Sequence, residues 1–223
     1  MTHASSLIEQ ARQRADQVGS QFVSDAEALG YLKLAYQNFY DELVQSNNQY
    51  YLSTFDITLV NGQQDYLLPT DFYKLLGVDL INNVGSPITL RPFQFLERNR
   101  YKYAGLTTIA GPVYRYTLLG DKIRFTPIPG AGQLKLYYTP LAVVPALTTT
   151  DVDTLGFDEF LILFVALKML AKEESDTTLL AQELAAQRVR VQTMVADQDS
   201  SFPKVVVDVD TINDNLYLPT FLL

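Results

Sequence analysis

The chain has no cysteine, no tryptophan and a single histidine in 223 residues. Without cysteine there can be no disulfide, no thiolate nucleophile and no thiolate metal site, a usage that suits a reducing compartment. The lone His3 stands near the N-terminus, on an end expected to fray. That removes Ser-His and Cys-His nucleophilic mechanisms and most zinc sites. No apolar run reaches bilayer-spanning length. The opening Met1-Thr-His-Ala-Ser-Ser lacks the basic start and apolar core of a signal peptide. A soluble chain with no membrane partner, made in a cytoplasm, is expected. Positive charge is scarce too: 17 Lys and Arg stand against 25 Asp and Glu, for a net charge of −8. A general nucleic-acid binder draws its affinity from neutralising phosphates, so this balance argues against one. There is no Gly-x-x-x-x-Gly-Lys stretch, and Gly130-Ala-Gly132 precedes a strand pattern instead of opening a helix, so it fails as a phosphate cradle. A carboxylate-only, metal-assisted hydrolytic site is the alternative that residue types leave open, but no spacing demonstrates one, and no catalytic residue, cofactor site or metal site is expected.

What is present is a strand-rich stretch between two helical blocks. Ser6-Leu-Ile-Glu9 has the form of a capping box and predicts a first helix to about Val18, stopped by Gly19-Ser20. Ser24-Asp-Ala-Glu27 repeats the signal ahead of a helix to about Ser46, with Leu29, Leu32, Tyr36, Phe39, Tyr40 and Leu43 on one stripe. Phe55 to Val60 alternates as a half-buried strand. Asn61-Gly62 predicts a hairpin, since both residues tolerate positive φ, with a return strand reaching Tyr66-Leu-Leu68. Further strands are expected over residues 75–81, 113–119, 123–126 and 134–139, and a short helix over 92–100. These would form one small antiparallel sheet. A Pro- and Thr-rich linker over 141–155 leads to a helix from about Phe157. Phe157, Phe160, Leu161, Phe164, Val165 and Leu170 make that helix apolar nearly all round, as in the centre of a bundle. A fourth helix over 176–197 would turn Leu180, Leu184, Val191 and Met194 inward. The expected fold is α+β: a mainly helical bundle from residues 1–52 and 141–200, an inserted β module over 53–140, and an extended C-terminal arm over 201–223.

Two features point outward. Between Arg91 and Arg124 seven basic residues stand against two acidic ones, about +5, which leaves about −13 elsewhere. Tyr101, Tyr103, Tyr114 and Tyr116 are interleaved with them, and Arg beside Tyr suits a protein interface or stacking on nucleobases. Arg98, Arg100, Tyr101, Lys102, Tyr103 and Arg115 are therefore read as a protein-facing interface. The alternative is a nucleic-acid-binding module using the same segment. The second feature is the tail. Its apolar residues Phe202, Val205, Val207, Leu216, Tyr217, Leu218, Phe221, Leu222 and Leu223 suit an arm that adds a strand to, or fills pockets on, a partner. Asp151-Val-Asp153 before Gly156 resembles the front of a calcium loop, but Leu155 and Ile162 occupy positions that need ligands, so a polar linker is the reading. Asp208-Val-Asp210 is read as a solvated turn.

The order of segments resembles the head-to-tail adaptor, or connector, proteins of tailed bacteriophages. Asp25-Ala-Glu-Ala-Leu-Gly-Tyr-Leu-Lys-Leu-Ala-Tyr36 carries the resemblance first, then Tyr66-Leu-Leu-Pro-Thr-Asp-Phe-Tyr-Lys-Leu-Leu-Gly-Val78. Tyr116 to Pro127, Leu134-Lys-Leu-Tyr-Tyr-Thr-Pro140 and Gly156-Phe-Asp-Glu-Phe-Leu161 complete it. The resemblance implies a non-enzymatic virion protein in the neck between head and tail. It implies a homo-oligomeric ring of twelve copies beneath the portal protein, with tail or further neck proteins below. Genomic DNA would pass through without specific binding, and the C-terminal arm would reach the portal.

Overall fold

A computed structural model describes residues 2–19, 22–47, 49–81, 87–97, 99 and 114–196. Four helices form one layer: α1 (Ala4–Arg14), α2 (Asp25–Ser46), α3 (Asp158–Lys172) and α4 (Thr178–Ala196). α3 lies at the centre and packs on the other three. It buries Phe160, Leu161, Ile162, Leu163, Val165, Ala166 and Met169, as an all-apolar helix must. Its core partners include Leu7, Ala11, Leu32, Phe39, Leu43 and Val191, and Phe39 meets the rings of both Phe157 and Phe160 at under 6 Å.

Ser24 closes the start of α2 as expected. Its hydroxyl accepts from the Glu27 amide at 3.3 Å while the Glu27 carboxylate accepts from the Ser24 amide at 3.0 Å. α1 begins otherwise. Ser6 and Glu9 do not cap it; the helix starts two residues earlier, at Ala4, with no side-chain cap. Its first amides donate to backbone instead, Ala4 to the Thr150 carbonyl at 3.0 Å and Ser5 to Thr148 at 2.8 Å. That contact exists because β1 (Thr2–His3) pairs antiparallel with β10 (Asp151–Val152). The 141–155 stretch is thus more than a linker, and His3 is held rather than frayed, its Nδ1 2.8 Å from the Asp151 carboxylate. α1 also ends at Arg14, short of Val18, with Asp16 in the left-handed region at φ 53°.

Strand content falls into two four-stranded sheets instead of one. β2 (Ser53–Leu59), β9 (Gly132–Pro140), β4 (Phe72–Ile81) and β5 (Pro87–Thr89) form the first, in that order and antiparallel throughout. β3 (Asp65–Leu67), β8 (Lys122–Thr126), β7 (Arg115–Leu119) and β6 (Arg91–Pro92) form the second, with β6 and β7 parallel. Residues of both sheets share a core: Ile57, Leu59, Val78, Leu134 and Leu136 from the first meet Tyr66, Tyr116, Ile123 and Phe125 from the second. The fold is mixed α+β, with the sheets as elaborate as the bundle.

Asn61-Gly62 turns the chain, with Gly62 at φ 87°, but it does not close a hairpin. β2 pairs with β9 and β3 with β8, so the two strands part into different sheets. Tyr66 explains the departure. Its hydroxyl accepts from the Val60 amide at 2.9 Å and lies 3.2 Å from the Val60 and Gln63 carbonyls. A buried side chain thus takes the bonds a ladder would have made. Of residues 92–100, Pro92 lies in β6 and Phe95–Glu97 form a 3-10 turn, while residues 98 and 100 lie outside the described residues. One smaller correction concerns α4. Met194 is exposed on α4, where Val195 turns inward instead.

Candidate docking surfaces

Interhelical contacts set the bundle's direction. Lys172, at the end of α3, reaches Glu27 at the start of α2 at 2.8 Å. Arg190 of α4 covers the Phe157 ring at the start of α3. Glu42, near the end of α2, takes Arg188 at 2.7 Å and Gln192 at 2.6 Å from α4. α2 and α4 therefore run the same way, and both finish at the end of the bundle where the β module attaches.

That junction is built from tyrosines. Tyr40 of α2 donates its hydroxyl to the Pro140 carbonyl at the end of β9 and stacks on Tyr51. Tyr73 donates to Asp41 at 2.8 Å, and Tyr138 to Asp71 at 3.0 Å. Burial pushes the Tyr40 phenol up to about 12, with neighbouring Tyr36 and Tyr73 adding to it. Tyr51 is pushed up as well, chiefly by burial, and its hydroxyl has no hydrogen-bond partner among the described residues. These phenols stay neutral at physiological pH and join helix to sheet.

The basic, tyrosine-rich segment is only partly within view. Arg98, Arg100, Tyr101, Lys102 and Tyr103 lie outside the described residues. Arg115 is half-buried at the start of β7, opposite Thr126. Tyr116 is buried in the two-sheet core and offers no open ring to a nucleobase, while the half-buried Tyr114 packs against that core. Arg124 is committed internally, meeting Asp65 with Nε at 2.6 Å and a second nitrogen at 2.7 Å. That fork holds the Asp65 carboxyl below its ordinary range and raises the guanidinium. Arg91 and Lys122 remain on the surface.

The whole 201–223 arm lies outside the described residues, so Phe202, Val205, Val207, Leu216, Tyr217, Leu218, Phe221, Leu222 and Leu223 have no place in this geometry. What the structure adds is a groove unforeseen in the sequence. It measures about 480 Å³ and is lined by Phe55, Asp56, Ile57 and Thr58 on one side and Asp65, Tyr66 and Leu67 on the other, with Gln63 and Lys122. Successive strand residues point to opposite faces, so a cleft lined by consecutive ones must run along strand edges. Among the described residues β2 and β3 are edge strands in their sheets. The groove is the gap opened where the missing hairpin would have closed. Asn61-Gly62 hid it; the hint was the shortness of β3, three residues against seven in β2.

A helical bundle joined through tyrosines to a two-sheet module defines a mixed α+β protein. The family model described as SU10 adaptor protein matches residues 2–207, and the chain belongs to that family of phage head-to-tail adaptors. The match includes Phe202, Val205 and Val207 and stops before Leu216. No curated protein matches the sequence.

Proposed function

We propose that the protein is a structural, non-catalytic component of the virion neck. It forms a ring of twelve copies under the portal, extends the DNA channel and offers a platform to tail or further neck proteins. The observation that carries this reading is the family match over residues 2–207. Physical chemistry supports it in two ways. A net charge of −8 gives a channel wall that repels DNA and lets it slide without adhering. An apolar tail that orders only on a partner delays assembly until that partner is present. In this reading the bundle, residues 1–52 and 141–200, packs around the ring. The β module, residues 53–140, meets ring neighbours or tail proteins, with Arg98, Arg100, Tyr101, Lys102, Tyr103 and Arg115 among the contacts. The arm, residues 201–223, engages the portal.

Sedimentation of the purified chain with and without portal protein tests the reading. Monomer or weak association alone, and a ring with portal, is the expected pair of results; a stable ring in isolation contradicts portal-triggered assembly. Deleting the residues after Phe202 abolishes assembly and leaves the melting temperature of the monomer nearly unchanged. Early melting of the truncated chain would instead make the arm part of its own core.

A further inference from the structure

We infer that the groove between β2 and β3 receives residues 203–210 of a neighbouring copy as an added strand. This inference rests on the ring of copies proposed above and adds to it the contact that links one subunit to the next.

The groove is suited to backbone pairing. The outer edge of Ser53–Leu59 has no ladder partner among the described residues, and neither has that of Asp65–Leu67. Open edges are normally blunted by lysine, proline or a bulge. Over seven residues β2 carries only Asp56 as a charge, no proline, and a continuous register with β9. Exposed Leu52, Phe55, Val60 and Leu67 flank the cleft. Such an edge accepts an extended segment, which contributes main-chain hydrogen bonds along the strand and alternate side chains into the gap.

The occupant follows from where the chain goes next. α4 ends at Ala196, at the end of the bundle that carries the β module, and 27 residues follow it. Fully extended they reach about 90 Å, enough to cross to an adjacent subunit. Within them Val205-Val-Val-Asp-Val-Asp210 alternates: Val205, Val207 and Val209 would share one face and Val206, Asp208 and Asp210 the other. Pro203 precedes this run and discourages helix. Lys204 and Asp208 bracket the valines, as Asp56 and Lys122 stand on the two walls of the groove. The portal contact proposed for the whole arm thereby narrows to its final residues, from Leu216, and residues 203–210 go to the neighbouring copy.

The full chain tests this directly, because it has no native thiol. Thr58→Cys is combined in one chain with Val205→Cys, Val206→Cys or Val207→Cys in turn, so that either register is covered. Assembled on portal and oxidised, at least one combination gives a ladder of disulfide-linked multimers. An internal disulfide in monomers overturns the inference in favour of self-docking. A ring visible by electron microscopy with no linkage in any combination overturns the strand exchange and leaves the ring standing. Failure to form any ring overturns both. Hydrogen exchange reads the same contact without regard to register: those amides of residues 53–59 that point away from β9 slow at least tenfold on assembly. Val206→Pro removes that protection while the free monomer exchanges as before; unchanged protection in Val206→Pro overturns the inference.

Discussion

The bundle and the β module bury comparable kinds of side chain and treat their backbones differently. Apart from the first amides of α1, each helix satisfies its main chain largely within itself. Its charged residues are then spent between helices, Arg14 on Glu159, Lys172 on Glu27 and Arg188 on Glu42. The sheets share a smaller core of mostly aliphatic and aromatic residues, and each ends in edge strands at β2 and β3 that pair on one side only among the described residues. A closed helical body and an open-edged sheet body on one chain divide the labour. The first supplies a rigid frame, the second a surface whose polar backbone is available to other chains. Docking is therefore expected at the β end.

Truncating one large side chain in each core breaks or sharpens that contrast. Phe160 and Phe125 are both essentially fully buried, one in each cluster. Replacing either with Ala costs roughly 3–5 kcal/mol, from lost transfer energy and the cavity left behind. Phe160→Ala should accelerate amide exchange in α1 to α4 first, and Phe125→Ala in β2 to β9 first. Exchange that rises equally in both bodies for either variant would make them a single cooperative unit and dissolve the comparison.

The helices were more legible in the sequence than the sheets, and the reason is range. Capping at Ser24 and the stripe through Leu32, Phe39 and Leu43 are local signals, written within one turn or two of each other, and they survive folding unchanged. The central place of α3 followed from having no polar face. Strand runs were also visible one by one. Their partners were not, because pairing joins β2 to β9 across more than seventy residues and nothing local to Asn61-Gly62 announces that Tyr66 will occupy the turn. The start of α1 failed for the same reason: its first amides are satisfied by Thr148 and Thr150, far away in sequence. The groove was invisible because it exists only through that failed hairpin. Of the interface residues expected from charge and aromatic content, Arg115 alone falls within the described structure, half-buried, and the buried Tyr116 shows that interleaving Arg and Tyr cannot by itself distinguish surface from core.

Two identical substitutions with opposite outcomes sharpen the picture at smaller scale. Tyr66→Phe leaves the Val60 amide without its acceptor in a part-buried corner, which costs about 1–3 kcal/mol. It should loosen the 60–64 turn and speed exchange at residue 60. Tyr51→Phe, at the joint between the two bodies, removes a buried hydroxyl that has no partner among the described residues. The stacking on Tyr40 is kept, so the change should be neutral or stabilising by about 1 kcal/mol. Paired thermal melts of the two variants check the signs. A loss of stability in Tyr51→Phe would show that its hydroxyl is bonded after all, and that the junction depends on it.

The smallest effect is a pH dependence confined to the β module. Arg124 holds the Asp65 carboxyl below its ordinary value, first through the side-chain hydrogen bonds between them. A folded-state pKa below the unfolded one, about 4 for Asp, means the pair's stabilisation is present above pH 4. It fades as pH falls through the lower folded value, when the carboxylate takes up a proton. Both side chains are about a third exposed, 32% for Arg124 and 36% for Asp65. Solvent screening therefore limits the contribution to less than about 1 kcal/mol. Asp65→Asn should lose that increment at pH 7 and converge on the parent chain as pH falls through the lowered folded value, where the parent carboxylate takes up a proton. The same comparison for Glu27, lowered first by its bond to Lys172, reports on the bundle instead. If removing Asp65 shifted unfolding of the helices as much as of the sheets, the tyrosine junction would transmit strain between the bodies, and the frame and the docking surface would have to be treated as one.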